Sequence, residues 1–207
     1  MKGIKWLSNE RFALKLAVLM NYICILLMLA STFGLALSFI GRQTFILVVG
    51  DETFTEAIFA GGHHDNWWNV SNTRLPVVEM NDDIRVFVDD YIGVSTQIGM
   101  SIMYSTNAIP AIIGYWLLSR VFRNVGMKEI FTEQNVIYLS TYGLLGVATA
   151  VLSPFVKLGI AGVTNFVGNN TIHIATGQDS FNILIPSLAS LIVAYVINNG
   201  ILSKHNT

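Results

Sequence analysis

His63, His64 and Asp65 stand side by side, and imidazole with carboxylate is a donor set for zinc or copper. His173 could join them as a further donor. Adjacent residues rarely both ligate one ion with good geometry, and no two histidines have the i, i+4 spacing that sets both rings on one helical face. The sequence predicts no metal site and no cofactor. Cys24 is the sole cysteine and lies in a charge-free run, where nothing nearby would stabilise a thiolate. A serine nucleophile fails for want of a base, because the remaining histidine, His205, is in the tail. The long apolar runs contain no Asp, Glu or His, which argues against intramembrane aspartyl proteases, His-ligated metalloproteases and carboxylate-based proton carriers. No enzyme is expected.

Other residues suit binding better than catalysis. Asp82, Asp83, Asp89 and Asp90 form an acidic group, and Trp67-Trp68 is an amphipathic pair of the kind that settles at a membrane–water interface. Lys157 is the one ionisable residue at membrane depth, about one turn from the end of its apolar run. It can snorkel outward, pair with an acid, or serve as counter-charge for an anionic ligand. Together these seven residues make a candidate extracytoplasmic ligand surface. Asn21, Gln97, Asn107, Asn182, Asn198 and Asn199 are neutral polar residues within or at the ends of apolar runs. They suit hydrogen bonding between helices. Gly99, Ser101, Ser105, Gly143, Gly146 and Ala150 offer surfaces for close approach.

The elements that must position these residues follow from hydropathy. Of 207 residues, 53% are hydrophobic and 12% charged, about half the charge of a soluble domain. Charge-free runs occupy residues 16–41, 91–119, 134–156 and 180–203, each past the roughly 18-residue threshold for a membrane-spanning helix. Four transmembrane helices are expected over about 14–40, 94–122, 134–160 and 181–202. The first run is too long for the core of a signal peptide and reads as a retained span.

Orientation follows from Lys and Arg placement. Lys2, Lys5, Arg11 and Lys15 precede the first span, and Arg120, Arg123 and Lys128 lie in or beside the link between the second and third. Residues 41–93 hold nine acids against three bases, whereas the rest of the chain holds nine bases against four acids. Both termini are therefore expected in the cytoplasm of a multi-pass protein of the cell (inner or plasma) membrane. Residues 41–93 form an extracytoplasmic insertion within a single integral membrane domain, 1–207. A segment of that length should carry structure of its own. Residues 45–49, 75–78 and 83–89 read as strands, and 171–175 as another. The fold class expected is all-α membrane, a four-transmembrane-helix bundle with a small extracytoplasmic β-strand cap.

In the link 121–135, Thr132 is a good N-cap for the third helix, with Glu133 at the positive end of the helix dipole. Gly126 permits the turn, and Ile130-Phe131 suits an apolar staple. Phe122, Gly126, Phe131, Thr132, Glu133, Gln134 and Asn135, with the closing Ala194-Tyr195-Val196-Ile197-Asn198-Asn199-Gly200, resemble the bacterial four-helix membrane family known as domain of unknown function 2975. Four spans and a strand-bearing first outer segment also fit. The resemblance carries no activity. It implies a regulatory membrane partner for a small helix-turn-helix regulator of the Cro type, with Arg120, Arg123, Lys128 and Glu129 as the candidate cytoplasmic surface.

The expected function is a non-catalytic sensor or regulatory partner of such a regulator, with the lipid bilayer as its surroundings and no direct contact with nucleic acid. One alternative is an immunity protein against a cationic extracellular peptide, which the acidic segment would attract. Another is a small transporter component with a path lined by Gln97, Asn107 and Asn182.

Overall fold

The computed structural model describes residues 10–40, 43–49, 52–58, 77–80, 84–87, 94–167, 171–174 and 179–205, with side chains described over 11–40, 94–167 and 182–203. Four helices lie within these residues: α1 (Glu10–Phe39), α2 (Val94–Gly126), α3 (Glu133–Val167) and α4 (Asp179–His205). α1, α3 and α4 are each long and apolar enough to cross a membrane. α2, at 33 residues, has the length but falls outside that group. Its sequence explains why, since Ser95, Thr96, Gln97, Ser101, Ser105, Thr106 and Asn107 crowd its first half. At 1.5 Å per residue α2 and α3 are each about 50 Å long, well beyond a hydrocarbon core of roughly 30 Å.

Backbone pairing also joins β1 (Gln43–Val49), β2 (Glu52–Ile58), β3 (Val77–Met80), β4 (Ile84–Phe87) and β5 (Thr171–Ile174) in the order β2-β1-β3-β4-β5. All four pairings are antiparallel. Gly50 and Asp51 separate β1 from β2, with Val49 opposite Glu52. The sequence reading did not mark β2 as a strand, although Thr53, Thr55 and Phe54 favour extended backbone.

The chain divides into two compact units. One comprises Met1–Thr32, Ile109–Thr149 and Asn182–Thr207. In it α1 lies antiparallel to α2, because Gly126 meets Val18 and Ser119 meets Asn21. α3 lies antiparallel to α4, with Gly146 and Gly143 against Ser187, Gly143 also against Leu191, and Gly200 against the Phe131 ring that leads into α3. A small apolar core of Val121, Leu139, Ala194 and Ile197 is completed by Leu118, Val125, Val136, Tyr138 and Ile201. The other unit comprises Phe33–Ala108 and Ala150–Phe181. There Gly34 meets the Tyr104 hydroxyl and Gly99 meets Thr164.

What is inside and what is outside inverts the usual order. Among the described residues as many polar or charged side chains as apolar ones are buried, Ser38, Thr96, Ser101, Thr149, Ser153, Ser187 and Ser190 among them, while Leu26, Phe33, Leu144, Phe155, Ile185 and Ile192 are exposed. Exposed apolar surface on this scale marks a face that meets lipid or another protein. Hydrocarbon can solvate it, and helices in lipid then associate through small residues and hydrogen bonds. Pro110, Pro154 and Pro186 all sit inside continuous helices, and bends at these positions are not needed to break the elements.

Candidate functional site

The α2–α3 link is built from its backbone outward. α2 ends in a paired closure: the Lys128 amide donates to the Val125 carbonyl at 3.0 Å and the Glu129 amide to the Asn124 carbonyl at 2.9 Å. That is the Schellman arrangement, which needs a left-handed residue between the two. Lys128 occupies it, with φ 67°. The sequence assigns the turn to Gly126, but Gly126 is the last residue of the helix. Its missing side chain admits Val18, whose Cγ2 would lie 3.3 Å from a Cβ there.

Thr132 caps α3 as the sequence indicates, its Oγ1 accepting from the Asn135 amide at 3.3 Å. Glu133 opens the first turn. Phe131 does more than staple its own helix, since its ring lies over Gly200 of α4. The centre of the link is Asn135, fully buried. Its Nδ2 donates to the Glu129 carbonyl at 2.7 Å and the Ile130 carbonyl at 3.0 Å, and its Oδ1 accepts from Asn124 Nδ2 at 2.8 Å. One amide thus holds two link carbonyls and the end of α2.

Around this closed centre Arg123, Lys128 and Glu129 are exposed, with Met127, Ile130 and Phe131 among them. Arg120 is half-buried, its guanidinium 5.3 Å from the centre of the Trp116 ring, where the negative face of the indole attracts it. Trp116 meets Tyr138 edge to face at 6.3 Å. The four residues expected to form the cytoplasmic surface are therefore gathered at one end of α2 and the link that follows. Arg123, in the last turn of α2, also complements the negative end of that helix.

The second unit holds the other polar centre. Ser101 Oγ lies 2.8 Å from the Ser38 carbonyl, with the Gln97 carbonyl as a second acceptor at 2.9 Å. Gln97 Nε2 donates to the same Ser38 carbonyl at 3.1 Å. α2 thereby satisfies an acceptor in the last turn of α1, where helical partners run out. Deeper in this unit Ser153 Oγ donates to Asn107 Oδ1 at 2.8 Å and lies 3.3 Å from Thr106 Oγ1.

Lys157, one turn beyond Ser153, is only 5% exposed. It is buried within this unit. In the first unit Asn21 Oδ1 accepts from Ser119 at 2.7 Å. Asn182, Asn198 and Asn199 are exposed, so of the six neutral polar residues singled out, Asn21, Gln97 and Asn107 join helices.

No protein-family model matches the chain, nor does any curated protein or solved structure. Its reading rests on its own residues. Asp82, Asp83, Asp89, Asp90, Trp67, Trp68, His63, His64 and Asp65 lie outside the described residues. Among the described residues no group of three or more His, Cys, Asp or Glu is placed to hold a metal ion. Asn124, Ser38 and Ser153 were not singled out by sequence. Asn124 offers no local signal, because its partner is eleven residues away across a turn.

Proposed function

We propose that this chain is a non-catalytic, four-span protein of the cell membrane that relays an extracytoplasmic cue to a cytoplasmic partner through the α2–α3 link. The supporting observation is the construction of that link: Asn135 and Asn124 lock the backbone, while Arg123, Lys128 and Glu129 stand exposed on it beside Arg120. A preset polar surface loses little entropy on docking. Lys and Arg at this end fit a cytoplasmic location, with both termini on the same side. α2 is the fourth span in this reading, its polar first half facing neighbouring helices. The strands β1 to β5 belong to the outer face, where the acidic residues of 41–93, Trp67 and Trp68 supply the ligand surface.

The resemblance to the domain of unknown function 2975 family supports a helix-turn-helix regulator as the partner. The hydroxyl and amide groups of α2 favour this reading over a carrier, since Asn107, Ser153, Ser101 and Ser38 spend hydrogen bonds on one another.

Two experiments test the proposal. In a Cys24→Ser background, single cysteines replacing Asp82 and Lys128 should react with a membrane-impermeant maleimide from opposite sides of the bilayer. Labelling from one side sinks the topology. The solubilised protein should then retain a helix-turn-helix regulator encoded beside its gene, and lose it on Arg123→Glu with Lys128→Glu. Retention by that charge-reversed variant would remove the link from the partner surface.

A further inference from the structure

The second unit contains an acceptor with nothing to accept. Gln97 is 3% exposed and its Oε1 has no hydrogen-bond partner. Exchanging the oxygen and nitrogen of the amide does not help, because the nitrogen already donates to the Ser38 carbonyl and exchange would set one carbonyl oxygen against another. Ser101 Oγ, 3.4 Å from Gln97 Nε2, has one proton, and its nearest acceptors are the Ser38 and Gln97 carbonyls. A buried carbonyl left without a donor is rare in folded proteins, and ordered water is the usual remedy.

We propose that one water molecule is bound at Gln97 Oε1, inside the layer formed by Ser38, Gln97 and Ser101. The chemistry of the site selects a hydrogen-bond donor, since the lone pairs of Gln97 Oε1 repel an anion.

Water gives one proton to Gln97 Oε1 and can give the other to Ser101 Oγ, which accepts as well as donates. The bound molecule thus hydrates the junction where α2 caps the last turn of α1. This inference does not depend on the proposed function.

Met100 supplies the readout. It has no exposed surface and lies one turn from Gln97, on the same side of α2. The full chain in nanodiscs, equilibrated in oxygen-18 water, is given a millisecond X-ray pulse. A hydroxyl radical born from a bound water adds to the Met100 sulfur and dissolved oxygen removes the remaining hydrogen atom, leaving a heavy-isotope sulfoxide, while bulk radicals cannot reach it. The yield at Met100 is expected to be severalfold higher in the wild type than in Gln97→Leu, and Gln97→Glu, which keeps the oxygen, should keep the yield. An unlabelled Met100 in the wild type overturns the proposal, as does equal labelling in Gln97→Leu. Loss of labelling on adding millimolar methylammonium also overturns it, in favour of a cation. Should Gln97→Leu fail to assemble, Gln97→Ile gives the same comparison.

Discussion

Asn124 and Asn135, eleven residues apart and on different helices, share one hydrogen bond of 2.8 Å, and through it the end of α2 is tied to the start of α3. Both side chains are buried, Asn135 completely. The tie matters because the two link carbonyls, of Glu129 and Ile130, have Asn135 Nδ2 as donor.

Removing that donor leaves several groups stranded at once. Asn135→Ala should cost about 2–4 kcal/mol, since each buried polar group left unpaired costs about 1–3 kcal/mol. Asn124→Ala, which strands only the Asn135 oxygen, should cost less. Reversible unfolding in mixed micelles measures both. Strictly additive losses in the double variant would show that the two amides are uncoupled.

Lys128 holds a left-handed backbone that glycine adopts more readily. Lys128→Gly should therefore stabilise the fold by about 0.5–1 kcal/mol, with the strain relief only partly offset by a more flexible unfolded chain. Gly126→Ala behaves differently, because a Cβ there must push Val18 aside by a few tenths of an ångström. A lower unfolding midpoint for Lys128→Gly would mean that the turn does not rest on backbone conformation.

α3 and α4 approach at glycines. A Cβ at Gly143 would stand 2.6 Å from Leu191 Cγ and 2.8 Å from the Ser187 carbonyl, and one at Gly146 would strike the Ser187 hydroxyl. Gly143→Val should destabilise by about 2–3 kcal/mol, the scale of overpacking, whereas Gly162→Ala, with open space around it, should stabilise by up to about 1 kcal/mol. The paired measurement separates helix contact from the general effect of losing a glycine.

Cys24 is buried and is the chain's one thiol, which makes it an intrinsic reporter of assembly. In nanodiscs it should resist a small maleimide for hours and react within minutes in denaturing detergent. Asn21→Leu removes the Ser119 acceptor one turn away, at about 0.6–2 kcal/mol, and should accelerate the native-state reaction. Equal rates would place the Asn21–Ser119 bond outside the packing that shields the thiol.

Much of this was legible in the sequence, for a reason of scale. Membrane helices announce themselves through some twenty consecutive side chains, so α1, α3 and α4 could be read from the absence of charge over 16–41, 134–156 and 180–203. The Thr132 cap was equally readable, because a cap and the amide it accepts from are three residues apart. Close approach at Gly99, Gly143 and Gly146 was anticipated too, since only a missing side chain permits it.

The tertiary structure alone decided which polar groups meet. Asn135 pairs with Asn124, Gln97 and Ser101 turn to Ser38, and Ser153 turns to Asn107, while Asn182, Asn198 and Asn199 face outward. All are short polar residues in or beside apolar stretches, and nothing local distinguishes those that join helices from those that do not. The rotation of each helix about its own axis sets that, and it is fixed by packing against neighbours distant in sequence. The same rotation carried Lys157 inward, and the backbone closure after α2 gave the left-handed position to Lys128 although Gly126 was at hand.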